Sequence, residues 1–301
     1  MAKKSGGAGC VVVVLVLGLL AFGYYKWQHG SSSAPPDGAD TGGGTGRYVA
    51  LGDSYTSSPR TGKQAGTPAG CERSDDNYPH LVSARLRPAE FADVSCGGAT
   101  TGHLTAAQKT GNGTNPPQLN AVTEQTTLVT LGIGGNDVGF LSLASSCASS
   151  QPAASPCKDR LTANGRDQLA ERIDATAPKV GDVLERIHAK APKAKIIVVG
   201  YPTVLPDGDG CWPTLPFGAG DIAYFRDALG KLNKMLEDQA EAHRAGYADT
   251  ATPGKGHDVC AASGERWVEG LLPSSPAAPL HPNARGERGM ADTVLALLKL
   301  P

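Results

Sequence analysis

Four short apolar runs, alternating with long stretches of helical period, constrain this chain more than any other feature. They lie at 48–51 (Tyr-Val-Ala-Leu), 91–94 (Phe-Ala-Asp-Val), 127–131 (Thr-Leu-Val-Thr-Leu) and 196–200 (Ile-Ile-Val-Val-Gly). Runs that are short, largely continuous and rich in β-branched residues are what strands covered on both faces of a parallel sheet require. Helical periodicity predicts helices over 78–86, 164–190, 221–245 and 284–298. In 221–245, Ile222, Phe225, Leu229, Leu232 and Leu236 recur at spacings of three and four, one face of a helix. Strands alternating with helices point to an α/β fold of three layers with a mostly parallel central sheet.

The N-terminus is of another kind. Lys3 and Lys4 precede an uncharged segment, 5–25, closed by Tyr24, Tyr25, Lys26 and Trp27, an aromatic and basic belt suited to a headgroup interface. A helix over 8–25 rises about 27 Å, close to the hydrocarbon thickness of a bilayer. No small-x-small cleavage site follows the apolar run directly, so 1–29 reads as an uncleaved transmembrane signal anchor in preference to a cleaved signal peptide. Residues 30–46, rich in Gly, Ser and Pro, read as a flexible linker, and 47–301 as one domain large enough for its own core. A net charge of −1 without a basic run excludes nucleic acid as the partner, and aromatics at 5% argue against a stacking platform. Of seven cysteines, Cys10 lies in the apolar segment, which leaves six in the body. An even count in an exported domain fits three disulfides, and six cysteines admit 15 connectivities. The sequential one, Cys71–Cys96, Cys147–Cys157 and Cys211–Cys260, is preferred because each pair braces a Gly/Pro-rich loop (59–77, 147–157 and 202–220). No Cys-x-x-Cys spacing supports zinc, and neither a metal nor a cofactor is expected. The body is expected to be extracytoplasmic and monomeric.

Chemistry concentrates in four blocks at predicted strand ends or before the last helix: Gly52-Asp53-Ser54, Cys96-Gly97-Gly98-Ala99-Thr100, Gly134-Gly135-Asn136-Asp137 and His281-Pro282-Asn283. Each is ordinary alone: a cap serine, a turn glycine, a turn asparagine, a loop histidine. Together they supply what acyl transfer needs. Ser54 is the candidate nucleophile and His281 its base; the N–H groups of Ser54 and Gly98, with the Asn136 amide, are candidate oxyanion donors. Asp53 reads as a structural partner of the turn. Gly-x-Ser-x-Gly, a dinucleotide fingerprint and His-Glu-x-x-His are all missing from the sequence.

On these blocks, from about Arg47 to the C-terminus, the chain resembles the SGNH hydrolases, also called the GDSL esterase/lipase family. More narrowly it is similar to secreted actinobacterial esterases and lipases with three disulfides, which supports the sequential pairing. The resemblance implies a flavodoxin-like α/β/α sandwich and metal-free hydrolysis of a small-molecule or lipid ester. Alternatives are a deacylase or acyltransferase acting on cell-envelope glycans, and a non-catalytic surface-binding protein. One departure stands out: where many family members carry an aspartate three residues before the histidine, this chain has Ala278. The Ala278 carbonyl is therefore the candidate for orienting His281, with Asp258 and Glu269 as carboxylates that folding could bring near. Phe140, Leu141, Leu143, Trp212 and Phe217 are candidates for an apolar acyl pocket.

Overall fold

A computed structural model describes residues 44–298 of the chain. The expected anchor, and the linker up to residue 43, lie outside the described residues. Among the described residues no helix is long and apolar enough to cross a membrane.

The strands are β1 (Gly44–Gly52), β2 (Pro88–Asp93), β3 (Gln108–Thr110), β4 (Gly113–Asn115), β5 (Thr126–Gly132), β6 (Lys195–Val199) and β7 (Gly246–Ala248). The helices are α1 (Ser54–Ser57), α2 (Tyr78–Leu86), α3 (Gly135–Val138), α4 (Phe140–Ser145), α5 (Pro156–Leu161), α6 (Gln168–Lys190), α7 (Ala219–Ala242) and α8 (Ala284–Leu298). Five strands form one sheet in the order β2-β1-β5-β6-β7, every pair parallel. With the separate β3–β4 hairpin left out, this is the doubly wound order 2-1-3-4-5 of flavodoxin-like folds. The fold is thus the α/β sandwich that the alternation of strand and helix implies.

Strand side chains alternate between two cores. Val49, Leu51, Val129, Leu131, Ile196 and Val198 pack with Leu184, Phe225, Leu232 and Leu236 of α6 and α7. Tyr48, Ala50, Leu128, Ile197 and Val199 pack with Tyr78 and Val82 of α2 and Met290 and Val294 of α8. Full burial of one such aliphatic chain is worth about 1.5–3 kcal/mol, so sandwiching both faces gives the strands their continuous apolar character.

Boundaries differ from expectation where a cap or a pairing intervenes. β1 begins at Gly44, inside the expected linker, because Gly44 is already in register with Pro88 of β2. α6 begins at Gln168 instead of 164: Asp167 accepts the Ala170 N–H at 3.2 Å and caps it. α7 ends at Ala242 instead of 245, since Arg244 takes a left-handed φ of 55° and Gly246 pairs with Ile197. β7, three residues at the sheet edge, has no apolar run to announce it.

Cys71–Cys96, Cys147–Cys157 and Cys211–Cys260 are bonded in the structure. The first joins the loop after α1 to the segment after β2. Beside it Arg73 is buried, donating to Ser95 O at 2.6 Å, Thr67 O at 2.9 Å and Asn115 Oδ1 at 2.8 Å. A guanidinium fork is suited to holding three segments together at once. Replacing Cys71 and Cys96 together by serine is expected to lower the unfolding free energy by about 3 kcal/mol, from the loop entropy of this closure. A lowered urea midpoint for the double variant checks it.

Candidate active site

β1 and β5 end side by side. Gly52 pairs with Gly132, and the Asp53 N–H reaches Gly132 O at 3.0 Å. A Cβ on Gly52 would stand 2.6 Å from Gly132 O, so the approach requires glycine. Beyond it the chain enters α1, whose N-cap Asp53 accepts the Tyr55 N–H at 2.9 Å. Ser54 is the first residue of that turn, and its N–H has no acceptor among the described residues.

His281 meets it from the other end of the domain. Its Nε2 lies 2.8 Å from Ser54 Oγ, and its Nδ1 lies 2.8 Å from Pro279 O. A carbonyl can only accept, so Nδ1 carries the proton and Nε2 is left as the acceptor facing the serine hydroxyl. The orienting carbonyl is therefore that of Pro279, which corrects the expected Ala278. Ala278 O is already engaged by the His281 N–H at 3.2 Å, closing a turn with proline second and Leu280 third at φ 62°. Proline followed by a left-handed residue is the pattern of a type II turn, whose central carbonyl stays out of the turn's own hydrogen bond. Downstream, Asn283 Oδ1 accepts the Arg285 and Gly286 N–H groups and caps α8, which fixes where the His281 segment stops.

The other two blocks are clamped together. Gly98 has φ 75°, in the left-handed region that favours glycine, and its N–H has no acceptor among the described residues. The Cys96 N–H donates to Gly52 O at 3.0 Å and holds this turn beside the end of β1. Asn136 donates from Nδ2 to Ala99 O at 2.9 Å, which leaves its second amide hydrogen. Asp137 accepts both the Thr101 N–H at 2.9 Å and its hydroxyl at 2.6 Å.

Neither candidate carboxylate is a hydrogen-bond partner of His281. Asp258 accepts the Cys260 N–H at 2.9 Å. Glu269, fully buried, accepts Asn283 Nδ2 at 2.8 Å and the Ser274 N–H at 2.8 Å, with Arg266 3.5 Å away. Burial opposes its charge, but the bonds from Asn283 and Ser274, with Arg266, outweigh that and hold its carboxyl below the usual range. Glu269 thus braces the histidine loop, whose backbone it also pairs through its N–H to His281 O at 3.0 Å.

Two tyrosines were not among the expected site residues. Tyr55 stacks on His281, ring centroids 5.0 Å apart, and donates to Leu280 O at 2.7 Å. Tyr201, just past β6, donates to Asp53 Oδ2 at 2.6 Å. The position of Tyr201 at a strand end was the one available signal. Burial pushes the Asp53 carboxyl up to about 7, against the hydrogen bonds from Tyr201 and Tyr55 that favour its charge. Burial likewise holds the His281 imidazole below the usual histidine range, offset only in part by Pro279 O and Glu72.

An apolar cavity of about 20 Å³ beside Ser54 is lined by Tyr55, Phe140, Leu141, Tyr201, Leu229 and Leu232. Of the five expected lining residues it takes Phe140 and Leu141. Phe217 is buried in the core, Leu143 packs partly buried against it, and Trp212 is 42% exposed. A larger cavity of about 550 Å³, lined by Arg73, His80, Phe91 and Asp93, contains none of the expected catalytic or oxyanion residues. Among the described residues no cluster of three or more His, Cys, Asp or Glu could hold a metal ion.

Residues 50–288 match the family model described as GDSL-like lipase/acylhydrolase. Lipase 2 of Streptomyces coelicolor is 39% identical over 262 residues, covering 84% of this chain and 86% of that protein. A lipase of Streptomyces rimosus is 31% identical over 241 residues, covering 80% and 82%. Among solved structures, phospholipase A1 from Streptomyces albidoflavus superposes with TM-score 0.71 at 28% identity, over 83% of this chain and 98% of that one. The extracellular lipase from Streptomyces rimosus superposes with TM-score 0.70 at 28% identity, over 83% and 99%.

Two outcomes follow from the geometry. A histidine whose folded pKa is depressed stays neutral, and so able to accept a proton, to a lower pH than a free one. The His281 ring resonance is expected to titrate below the ordinary histidine value of about 6.5 in an NMR pH series. Asp258→Asn and Glu269→Gln are expected to keep most of the wild-type kcat, while Glu269→Gln loses about 1–3 kcal/mol of stability. A collapse of kcat in either would identify a carboxylate as the group orienting His281.

Proposed function

Because the chain belongs to the GDSL-like lipase/acylhydrolase family and is a carboxylic ester hydrolase, we propose that it works through an acyl-Ser54 intermediate with His281 as its base. The observation that carries this reading is the 2.8 Å contact from Ser54 Oγ to a His281 whose other nitrogen rests on a carbonyl. Ser54 Oγ attacks the ester carbonyl carbon while Nε2 takes the hydroxyl proton. Negative charge then develops on the former carbonyl oxygen, and in this reading the N–H groups of Ser54 and Gly98, which have no acceptor among the described residues, receive it together with the second Asn136 amide hydrogen. The imidazolium returns its proton to the leaving alcohol, the C–O bond breaks, and the acyl group stays on Ser54. Water then repeats the sequence, with His281 again taking and returning the proton, and the carboxylic acid leaves.

Three disulfides support work outside the cytoplasm, where thiols oxidise and stay oxidised. In this reading residues 1–29 tether the body to the membrane. A cavity of about 20 Å³ supports a small acyl group, since it holds little more than one water-sized group.

A serine-directed organophosphonate is expected to label Ser54, identified by peptide mapping, and Ser54→Ala and His281→Ala to remove the adduct. An adduct on another residue, or none on folded protein, would count against the mechanism. Asn136→Ala is expected to cost about 2.7–4 kcal/mol of transition-state stabilisation, read as a fall of roughly 10²–10³ in kcat. In a p-nitrophenyl ester series, acetate to butyrate should exceed decanoate in kcat/KM; the reverse order would overturn the small acyl site.

A further inference from the structure

Tyr201 lines the cavity beside Ser54, but its hydroxyl is a group that the mechanism above does not use. It follows β6, at the same carboxyl edge of the sheet as Ser54 and Asn136, and its side chain is buried. Its hydroxyl does two things at once: it accepts the Gly135 N–H at 2.7 Å and donates to Asp53 Oδ2 at 2.6 Å. One partner immediately precedes Asn136 and the other immediately precedes Ser54. The phenol is held from behind as well. The Tyr201 backbone N–H donates to Asn233 Oδ1 at 2.8 Å, and Asn233 Nδ2 donates back to the Tyr201 backbone carbonyl at 2.8 Å. The ring packs edge-on against Tyr55, centroids 5.1 Å apart, and Tyr55 in turn stacks on His281.

The fit on the oxyanion side is close. A Cβ on Gly135 would stand 2.9 Å from Tyr201 Oη and 3.0 Å from its Cζ, so a glycine is what lets the backbone come within hydrogen-bond reach. Gly134, just before it, has φ 115°, in the left-handed region that favours glycine. The polarity is fixed in one direction: amide N–H to phenol oxygen, phenol O–H to carboxylate, with the second carboxylate oxygen taken by the Tyr55 N–H. Tyr201 also lines the cavity beside Ser54, but its hydroxyl is spent on the two turns: it accepts from Gly135 and donates to Asp53. These bonds set the separation of the two turns.

We propose that Tyr201 is a positioning residue for the ester hydrolysis. Its hydroxyl ties the Asp53-Ser54 turn to the Gly135-Asn136 turn and so fixes the distance between nucleophile and oxyanion donor. The inference rests on the assignment of Ser54 and Asn136 above. A strut of this kind acts on the transition state, where nucleophile and donor must both be in place, more than on ground-state binding. Misplacement by about 1 Å can cost 10²-fold in rate.

The test compares Tyr201→Phe, Asp53→Asn and the double variant in the full chain. kcat and KM are measured on p-nitrophenyl butyrate well below each variant's melting temperature, and the rate of Ser54 phosphonylation in parallel. Tyr201→Phe is expected to lower kcat roughly ten- to a hundredfold with KM nearly unchanged, and to slow phosphonylation by the same factor. Asp53→Asn should do the same, because an amide hydrogen facing the phenol leaves the phenol proton without an acceptor. The double variant should be no worse than the more impaired single, since both remove one strut.

A kcat for Tyr201→Phe within about twofold of wild type, a change confined to KM, or single losses that multiply in the double would each overturn the role. Should Tyr201→Phe fail to fold, Asp53→Asn decides by the same criteria. Ser54→Ala separates the two claims. Turnover retained in Ser54→Ala sinks the reading of the site itself, whereas an inactive Ser54→Ala beside an unimpaired Tyr201→Phe sinks only the strut.

Discussion

Everything at this site depends on two parallel strands ending level with each other. β1 and β5 are neighbours in the sheet, yet the chain leaves them in opposite directions: from β1 toward the edge strand β2, from β5 toward β6. A doubly wound sheet opens a crevice at such a switch point, because the connections on the two sides diverge. Here the crevice is pinched to its minimum by a Gly52–Gly132 pair and the Asp53 N–H on Gly132 O. The turn carrying Ser54 and the turn carrying Asn136 therefore start from one point, and side chains remote in sequence face a common space. Larger residues at those strand ends would separate the turns before any catalytic group was chosen.

Against that frame, the neutral acceptor behind His281 is less of a handicap than the missing aspartate first implies. A group behind the imidazole has two tasks: to fix the proton on Nδ1, and to stabilise the imidazolium once Nε2 has accepted one. In the serine-protease template, replacing the aspartate by asparagine costs about 10⁴ chiefly because it imposes the wrong tautomer. Pro279 O does the first task as well as a carboxylate, since it can only accept. The second is left to the surroundings, and there burial works against the charged form. The same burial lowers the proton affinity of the resting base, so His281 stays unprotonated over a wider pH range while being a weaker base.

Much of this could be read from the residues, and the gaps have physical causes. Strands β1, β5 and β6 of the sheet interior announce themselves because burial on both faces demands unbroken apolar runs. The fourth run falls on the edge strand β2, and the runs on β2 and β6 each overshoot their strand by one residue, Val94 and Gly200. β7 could not be read, being three residues long and at the edge, where little apolar surface is enclosed. The four chemical blocks were visible as residue types, since glycine and asparagine in a turn leave few substitutes. The histidine's partner was missed by one residue. Offset counting treats carbonyls as interchangeable, whereas the left-handed Leu280 decides which one turns toward the ring. Tyr201 was missed for a different reason. A lone tyrosine after a strand carries no pattern, and its importance arises only from the buried carboxylate and glycine N–H that the fold brings to it.

The long loops then raise a question of order, because ordering a backbone costs about 1–2 kcal/mol per residue and these loops bury few aliphatic side chains. Buried polar pegs supply part of the answer. The Gln118 amide closes on Gly52 from both sides, accepting its N–H at 2.8 Å and donating to its carbonyl at 2.9 Å, as a neighbouring strand would. Arg73 and Cys71–Cys96 fasten the loop after α1, Asp137 fastens the Gly98 turn, and Glu269 fastens the turn before α8. Gln118, Arg73 and Glu269 are buried and hydrogen-bonded, so removing one leaves an unpaired polar group in a low dielectric instead of merely losing a contact. That penalty makes the alternatives to the observed loop conformation costly, which is how a site assembled from four separate turns can hold its geometry before a substrate arrives.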